Sequence, residues 1–124
     1  MNKAKQEFLK ANQRKGECYA GIILGKDGEH DYHLFLLPGE AESVNWEDAK
    51  TFASKASGEL PTRREQSLLF ANLKEEFKER AYWSNTPHAV YGSFAWCQGF
   101  DNGGQDDYYK DNELRARAVR RLVI

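Results

Sequence analysis

Two helix signals stand back to back in the middle of the chain, with strand-like sequence on both sides of them. The first opens at Asn45, a side chain suited to cap a helix, and carries Trp46, Ala49, Phe52, Ala53 and Ala56 at helical spacing as far as Gly58. The second opens at Pro61-Thr62-Arg63-Arg64-Glu65, where Thr62 and Glu65 have capping-box spacing, and takes Leu68, Leu69, Leu73 and Phe77 to the core. Ahead of this pair, residues 17–24 and 32–37 are rich in aromatic and branched side chains, and Lys26-Asp27-Gly28-Glu29 between them supplies a turn, so a β-hairpin is predicted. Behind it come Tyr82-Trp83-Ser84, residues 94–100, Tyr108-Tyr109 and residues 116–123, short strands separated by turns. Helices grouped in the middle, not alternated one by one with strands, predict an α+β domain.

A chain of 124 residues with 40% apolar side chains holds one core and one domain. Residues 17–124 are read as that domain, with Trp46, Phe52, Leu68, Leu69, Trp83 and Trp96 as core. Residues 1–16 are read as a helical arm in which Phe8 and Leu9 are the apolar anchors and Gly16 the stop. Two readings stay open for the arm, a device that joins copies of the chain into a homo-oligomer and a frayed end. No apolar run approaches the length of a membrane span, and no membrane partner is expected. The charged start, Met1 to Lys10, lacks the apolar segment of a secretory signal, so a cytoplasmic location is expected unless packaging into a virion or another export route intervenes. Cys18 and Cys97 have neither metal-ligand spacing nor the density of a disulfide scaffold and are read as free buried thiols.

Composition changes sharply at residues 85–109. That stretch holds no Lys and no Glu, whereas the other 99 residues hold 10 Lys and 12 Glu. Asn, Asp, His, Tyr, Ser, Gly, Thr, Ala, Val and Phe fill it, a blend of adaptable hydrogen-bonding groups and rigid rings that suits recognition. A Gly-rich loop between strands that simply excludes helix formers is the plainer alternative. On the recognition reading Asn85, His88, Tyr91, Ser93, Asp101, Asn102, Asp106, Asp107 and Tyr108 are the candidate ligand-binding residues. Tyr91, Phe94, Tyr108 and Tyr109 supply apolar area, with Phe94 and one of the tandem tyrosines expected to turn toward the core.

The ordered series Val44-Asn45-Trp46-Glu47-Asp48-Ala49, Gly58-Glu59-Leu60-Pro61-Thr62-Arg63-Arg64-Glu65, Tyr82-Trp83-Ser84-Asn85, Ala95-Trp96-Cys97-Gln98-Gly99-Phe100 and Arg115-Ala116-Arg117-Ala118-Val119-Arg120 resembles a bacterial and phage C-type-lectin-like family. That family includes the C-terminal domain of a collagen-like adhesin, relatives of the formylglycine-generating enzyme, and variable proteins of diversity-generating retroelements. The resemblance covers roughly residues 17–122. It implies an N-terminal β-hairpin, two helices and a loop-rich C-terminal antiparallel sheet that presents a protein or glycan ligand, with Trp83-Ser84 and Ala95-Trp96 as scaffold. In the retroelement branch, adenine-directed mutation turns an Asn codon into the residue types that fill 85–109, and the types it excludes occur there only as Trp96, Gln98 and Gln105. An interaction protein of phage or prophage origin that docks on a host or defence protein remains the alternative.

The same resemblance raises calcium and catalysis, and the residues argue against both. Trp83-Ser84-Asn85 and Thr86-Pro87-His88 lack the acids that calcium loops of animal lectins use, so Asp101, Asp106 and Asp107 are read as a polar rim, with no metal and no cofactor. Formylglycine-generating relatives use a pair of neighbouring active-site cysteines, and Cys18 and Cys97 sit in different predicted strands. His30 and His33 on one strand project to opposite faces and are read as exposed turn residues. No nucleophile triad or phosphate loop is present, and a non-enzymatic domain is expected. Residues 1–15 carry five bases against one acid, and residues 111–124 carry four Arg against two acids, yet the formal charge is −1 and nucleic acid is not indicated. Arg115 and Arg117 on one strand face admit an anion-binding track for a sulfated glycan or nucleic acid, but the four arginines Arg115, Arg117, Arg120 and Arg121 are read as partners of the acids of the two helices or guards of an edge strand.

Overall fold

A computed structural model describes residues 2–124 and contains three α-helices, one 3₁₀ turn and eight strands. Met1 of the N-terminal arm lies outside the described residues. Helix α1 spans Lys3–Asn12, α2 Trp46–Lys55 and α3 Arg63–Leu73. The strands are β1 Cys18–Ile23, β2 Tyr32–Leu36, β3 Ala41–Val44, β4 Ala81–Pro87, β5 Phe94–Gly99, β6 Gln105–Tyr109, β7 Leu114–Ala116 and β8 Val119–Val123. They form a three-stranded sheet of order β1-β2-β8 and a five-stranded sheet of order β3-β7-β4-β5-β6. The architecture is α+β, with an N-terminal antiparallel hairpin of β1 and β2 as its first sheet unit.

Each helix begins where its cap dictates. Asn45 accepts from the Asp48 N–H at 2.9 Å, and at α3 Thr62 accepts from the Glu65 N–H at 3.2 Å while Glu65 accepts from the Thr62 N–H at 2.8 Å. The two helices cover opposite faces of the five-stranded sheet, and strand alternation decides which side chains meet which helix. Trp83, Ala95, Cys97 and Ala116 join Trp46, Ala49 and Ala53 of α2 in one core cluster. Tyr82 and Phe100 join Leu69 of α3 and Ala20, Leu34 and Leu36 of the smaller sheet in the other.

β4 carries an irregularity between Trp83 and Pro87, and side chains satisfy the backbone freed there. Trp46 Nε1 donates to the Ser84 carbonyl at 2.8 Å, Gln66 Nε2 donates to the Tyr82 and Trp83 carbonyls at 3.0 and 3.2 Å, and the Ser84 hydroxyl donates to the Trp96 carbonyl at 2.7 Å. Ser84 and Gln66 are therefore buried with donors in use. Helix α1 lies on the outer face of the smaller sheet, where the Phe8 ring stands 4.2 Å from His33 and 5.5 Å from Tyr19. His33 is thus not the exposed turn residue expected; it sits within β2, its Nδ1 shares a hydrogen bond with the Tyr19 hydroxyl at 2.8 Å, and of the two only His30 lies outside the strand and exposed.

Four of the expected core residues are only partly buried. Phe52, Leu68 and Leu73 pack at the margins of the two clusters. Trp96 is half-buried, because β5 turns Ala95 and Cys97 toward α2 and sends Trp96 to the opposite face, past the start of α3. Both cysteines are free thiols; Cys97 is buried as expected, whereas Cys18 is only partly buried.

Candidate functional site

β4, β5 and β6 form an antiparallel meander, so its two turns lie at opposite ends of the sheet. That geometry divides the nine candidate residues. Asn85, His88, Tyr91 and Ser93 belong to the end where β4 passes into β5, and Asp107 joins them through its contact with His88. Asp101 and Asn102 sit in the turn at the other end, and Asp106 and Tyr108 point to the face opposite Asp107. Residues 85–109 are therefore two surfaces. A linear composition signal carries no information about strand reversal or alternation.

At the first end the 88–93 loop is organised by one imidazole. His88 Nδ1 accepts from the N–H groups of Val90 and Tyr91, both at 3.1 Å, which places its proton on Nε2, 3.6 Å from the Asp107 carboxylate. The His88 ring stacks on Trp96 with centroids 5.4 Å apart, and Trp96 also takes the Arg63 guanidinium at 3.6 Å. Arg63 is held in turn by Gln105: its Nε donates to Gln105 Oε1 at 3.0 Å, and Gln105 Nε2 donates back to the Arg63 carbonyl at 2.8 Å. Asn85 is tied to the same corner by its N–H donating to the Pro61 carbonyl at 2.8 Å. Trp96 is thus the floor of this surface and not its hidden scaffold.

Around that floor the aromatics continue outward. Phe94 and Tyr109 have ring centroids 4.3 Å apart, and Tyr91 stands edge-on to Phe94 at 6.2 Å. Val90, Tyr91 and Tyr109 expose 75%, 61% and 55% of their surface. Tyr108 is exposed as well, so neither tandem tyrosine enters the core, and Phe94 is half-buried beside Tyr109. Ser93 lies exposed at the margin, its carbonyl accepting from the Lys110 N–H at 2.9 Å.

At the second end polar side chains serve the turn. The Asp101 carboxylate accepts from the Asn102 N–H and the Asn102 side chain from the Gly104 N–H, both at 2.9 Å. Beside them Glu79, Arg80, Asp101, Asp106 and Tyr108 line a cleft of about 480 Å³. Among the described residues no three His, Cys, Asp or Glu side chains converge as metal ligands do.

Cys97 and the four arginines of the C-terminal segment are engaged elsewhere. Burial, followed by the Asp106 charge, pushes the Cys97 thiol up to about 12, a thiol that gives almost no thiolate near neutrality. Arg115 meets Glu40 at 2.5 Å, Arg120 meets Glu17 at 2.7 Å and Arg121 meets Glu65 at 2.6 Å. Arg117 donates to the Glu76 and Leu37 carbonyls, each at 2.8 Å. The four arginines are spent on the scaffold, only Glu65 among their carboxylate partners being helical. Sequence reasoning missed Arg63, because nothing in a linear pattern shows that the first turn of α3 reaches β5. Its only trace was a long cationic side chain beside the helix cap.

Comparison with known proteins finds no family model that matches the chain. No curated protein sequence is matched at a significant level either.

Proposed function

We propose that the protein is a non-enzymatic recognition domain of C-type-lectin-like fold, which holds a protein or glycan ligand on the surface built by His88, Tyr91, Phe94, Asp107 and Tyr109. The observation that carries this is the exposed run of Val90, Tyr91 and Tyr109, continuous with half-buried Phe94 and Trp96. Exposed aromatic area of this kind, held rigid by its neighbours and edged by hydrogen-bonding groups, is the composition of a binding patch. A diversified surface is supported by a second feature. Trp96, Gln98 and Gln105, the residue types that adenine-directed mutation of an Asn codon cannot produce, are tied into the scaffold through Arg63, burial, or both. Of the types it can produce, Tyr91, Ser93, Asp106 and Tyr109 are exposed, while Ala95 and Phe100 are buried.

The test screens the wild type, Tyr91→Ala and Tyr109→Ala against a glycan array and a displayed peptide library. Ligands selected by the wild type should lose roughly tenfold or more in affinity to each variant, about 1.4 kcal/mol, while melting temperatures stay within a degree or two. Selected ligands indifferent to both substitutions would sink the assignment.

A further inference from the structure

We propose that the free edge of β6 docks an extended basic peptide segment, which adds a strand to the five-stranded sheet. The inference goes beyond the aromatic surface, with which it shares Phe94, Asp107 and Tyr109, and rests on the backbone edge of β6.

β6 ends the order β3-β7-β4-β5-β6, so one side of its backbone faces no strand. Its ladder with β5 is bracketed by Lys110 N–H donating to the Ser93 carbonyl at 2.9 Å and Gly99 N–H donating to the Gly104 carbonyl at 2.8 Å. With Ala95 opposite Tyr108 and Cys97 opposite Asp106, antiparallel alternation turns the backbone groups of Gln105, Asp107 and Tyr109 outward. Two of these are occupied locally: the Asp107 N–H donates to the Asp106 carboxylate at 2.8 Å, and the Tyr109 carbonyl accepts from the Asn112 N–H at 3.0 Å. The N–H groups of Gln105 and Tyr109 and the carbonyls of Gln105 and Asp107 face outward toward an incoming strand.

Charge selects the occupant. Asp101, Asp106, Asp107 and Asp111 flank this edge, and among the described residues Asp101, Asp106 and Asp111 form no ion pair. The one base beside them in sequence, Lys110, holds its ammonium 4.6 Å from the Trp46 ring centroid. Side chains of an added strand alternate between the two faces. On one face they meet Asp106, Tyr108 and the cleft carrying Glu79 and Asp101, where Arg80 is the single base and a Lys or Arg head finds carboxylates and a ring. On the other they meet Tyr109, with Phe94 behind it, and Asp107 and Gln105, whose side chains already engage His88 and Arg63, so that face suits an apolar side chain at Tyr109. Acids along an edge repel a second, equally acidic copy of the same edge. The repulsion that keeps β6 from pairing with itself is the attraction that admits a basic strand. Backbone bonds then give affinity and the alternate clefts give specificity.

The experiment titrates the whole protein with an end-blocked peptide of about eight residues alternating Lys and Val, long enough to span a strand. Controls are the same peptide N-methylated at every second residue and a Glu–Val peptide. Calorimetry and amide exchange are read side by side. Saturable binding of the Lys–Val peptide, slowed exchange at the Gln105 and Tyr109 amides, and roughly tenfold or greater weakening on N-methylation are expected. The double variant Asp101→Asn, Asp106→Asn should lose about tenfold while keeping its melting temperature, and Leu24→Ala, at an exposed position outside both surfaces, should bind the peptide as the wild type does. Absence of saturable binding, equal binding of the N-methylated peptide, protection at residues away from β6, or a solution dimer joined through β6 would each overturn the proposal.

Discussion

Trp83 and Trp96 have the same side chain and stand on neighbouring strands of one sheet, yet they face opposite sides of it and are held differently. Trp83 is fully buried, with its indole N–H donating to the Val44 carbonyl at 2.9 Å, so truncation leaves a cavity and an unpaired acceptor. Trp83→Ala should cost about 3–5 kcal/mol, the range for large-to-small aromatic changes in a core. Trp96 is half-buried and held by stacking, so Trp96→Ala should cost about 1–2 kcal/mol, the loss of its contacts with Arg63 and His88. Its larger effect should fall on ligand affinity, because the loop that His88 caps rests on that ring. Denaturant melts of the two variants, with unchanged slopes, check the difference; equal losses would return Trp96 to the core. Strand parity decides between the two residues, and parity was readable in Ala95-Trp96-Cys97, where two small side chains flank one large one.

Among the elements, the helices were the most legible because their signals are local: Asn45 and Thr62 cap within three residues of themselves. The β1–β2 hairpin was legible for the same reason. β3 was not, since Ala41-Glu42-Ser43-Val44 has weak alternation and exists as a strand only because β7 lies beside it. Nor was the splitting of the candidate site, which follows from a turn at residues 100–104 that sends β6 back along β5. That turn makes its own prediction. Gly103 has φ of +82°, and a Cβ there would meet Phe70 Cε2 at 2.8 Å. Gly103→Ala should therefore destabilise by about 1–3 kcal/mol through backbone strain and the shift forced on Phe70. Gly92, where an added Cβ meets nothing and φ is not positive, should accept Ala within about 0.5 kcal/mol. Paired thermal melts of these two loop variants test whether the second turn is rigid scaffold while the 88–93 loop is free to change.

For the molecule as a whole, the distribution of charge forecasts how stability responds to acid. Burial pushes the carboxyl of Glu65 up, but hydrogen bonds from Arg121, Tyr32 and the Thr62 backbone outweigh it and hold the group below its ordinary 4.5. Glu17 is likewise pushed up by burial and brought below 4.5 by Arg120 and the Arg14 backbone. A carboxyl whose folded value is depressed binds its proton first in the unfolded chain, so its stabilisation is complete above about 4.5 and is lost as pH falls through the folded value. His33 adds a separate step. Burial under Phe8 lowers it from its ordinary 6.5, the unfolded chain again takes up the proton first, and stability falls as pH drops below about 6.5. Both effects have the same sign and different windows. Melting temperature should decline gently from about pH 6.5 downward and more steeply below about 4.5. His33→Asn should flatten the upper segment alone, and Glu65→Gln the lower alone, each at some cost in stability at neutral pH. Calorimetric melts of the three proteins from pH 8 to 3 measure this, and a lower segment unchanged by Glu65→Gln would show that the ion pairs joining β8 to α3 do not govern acid unfolding.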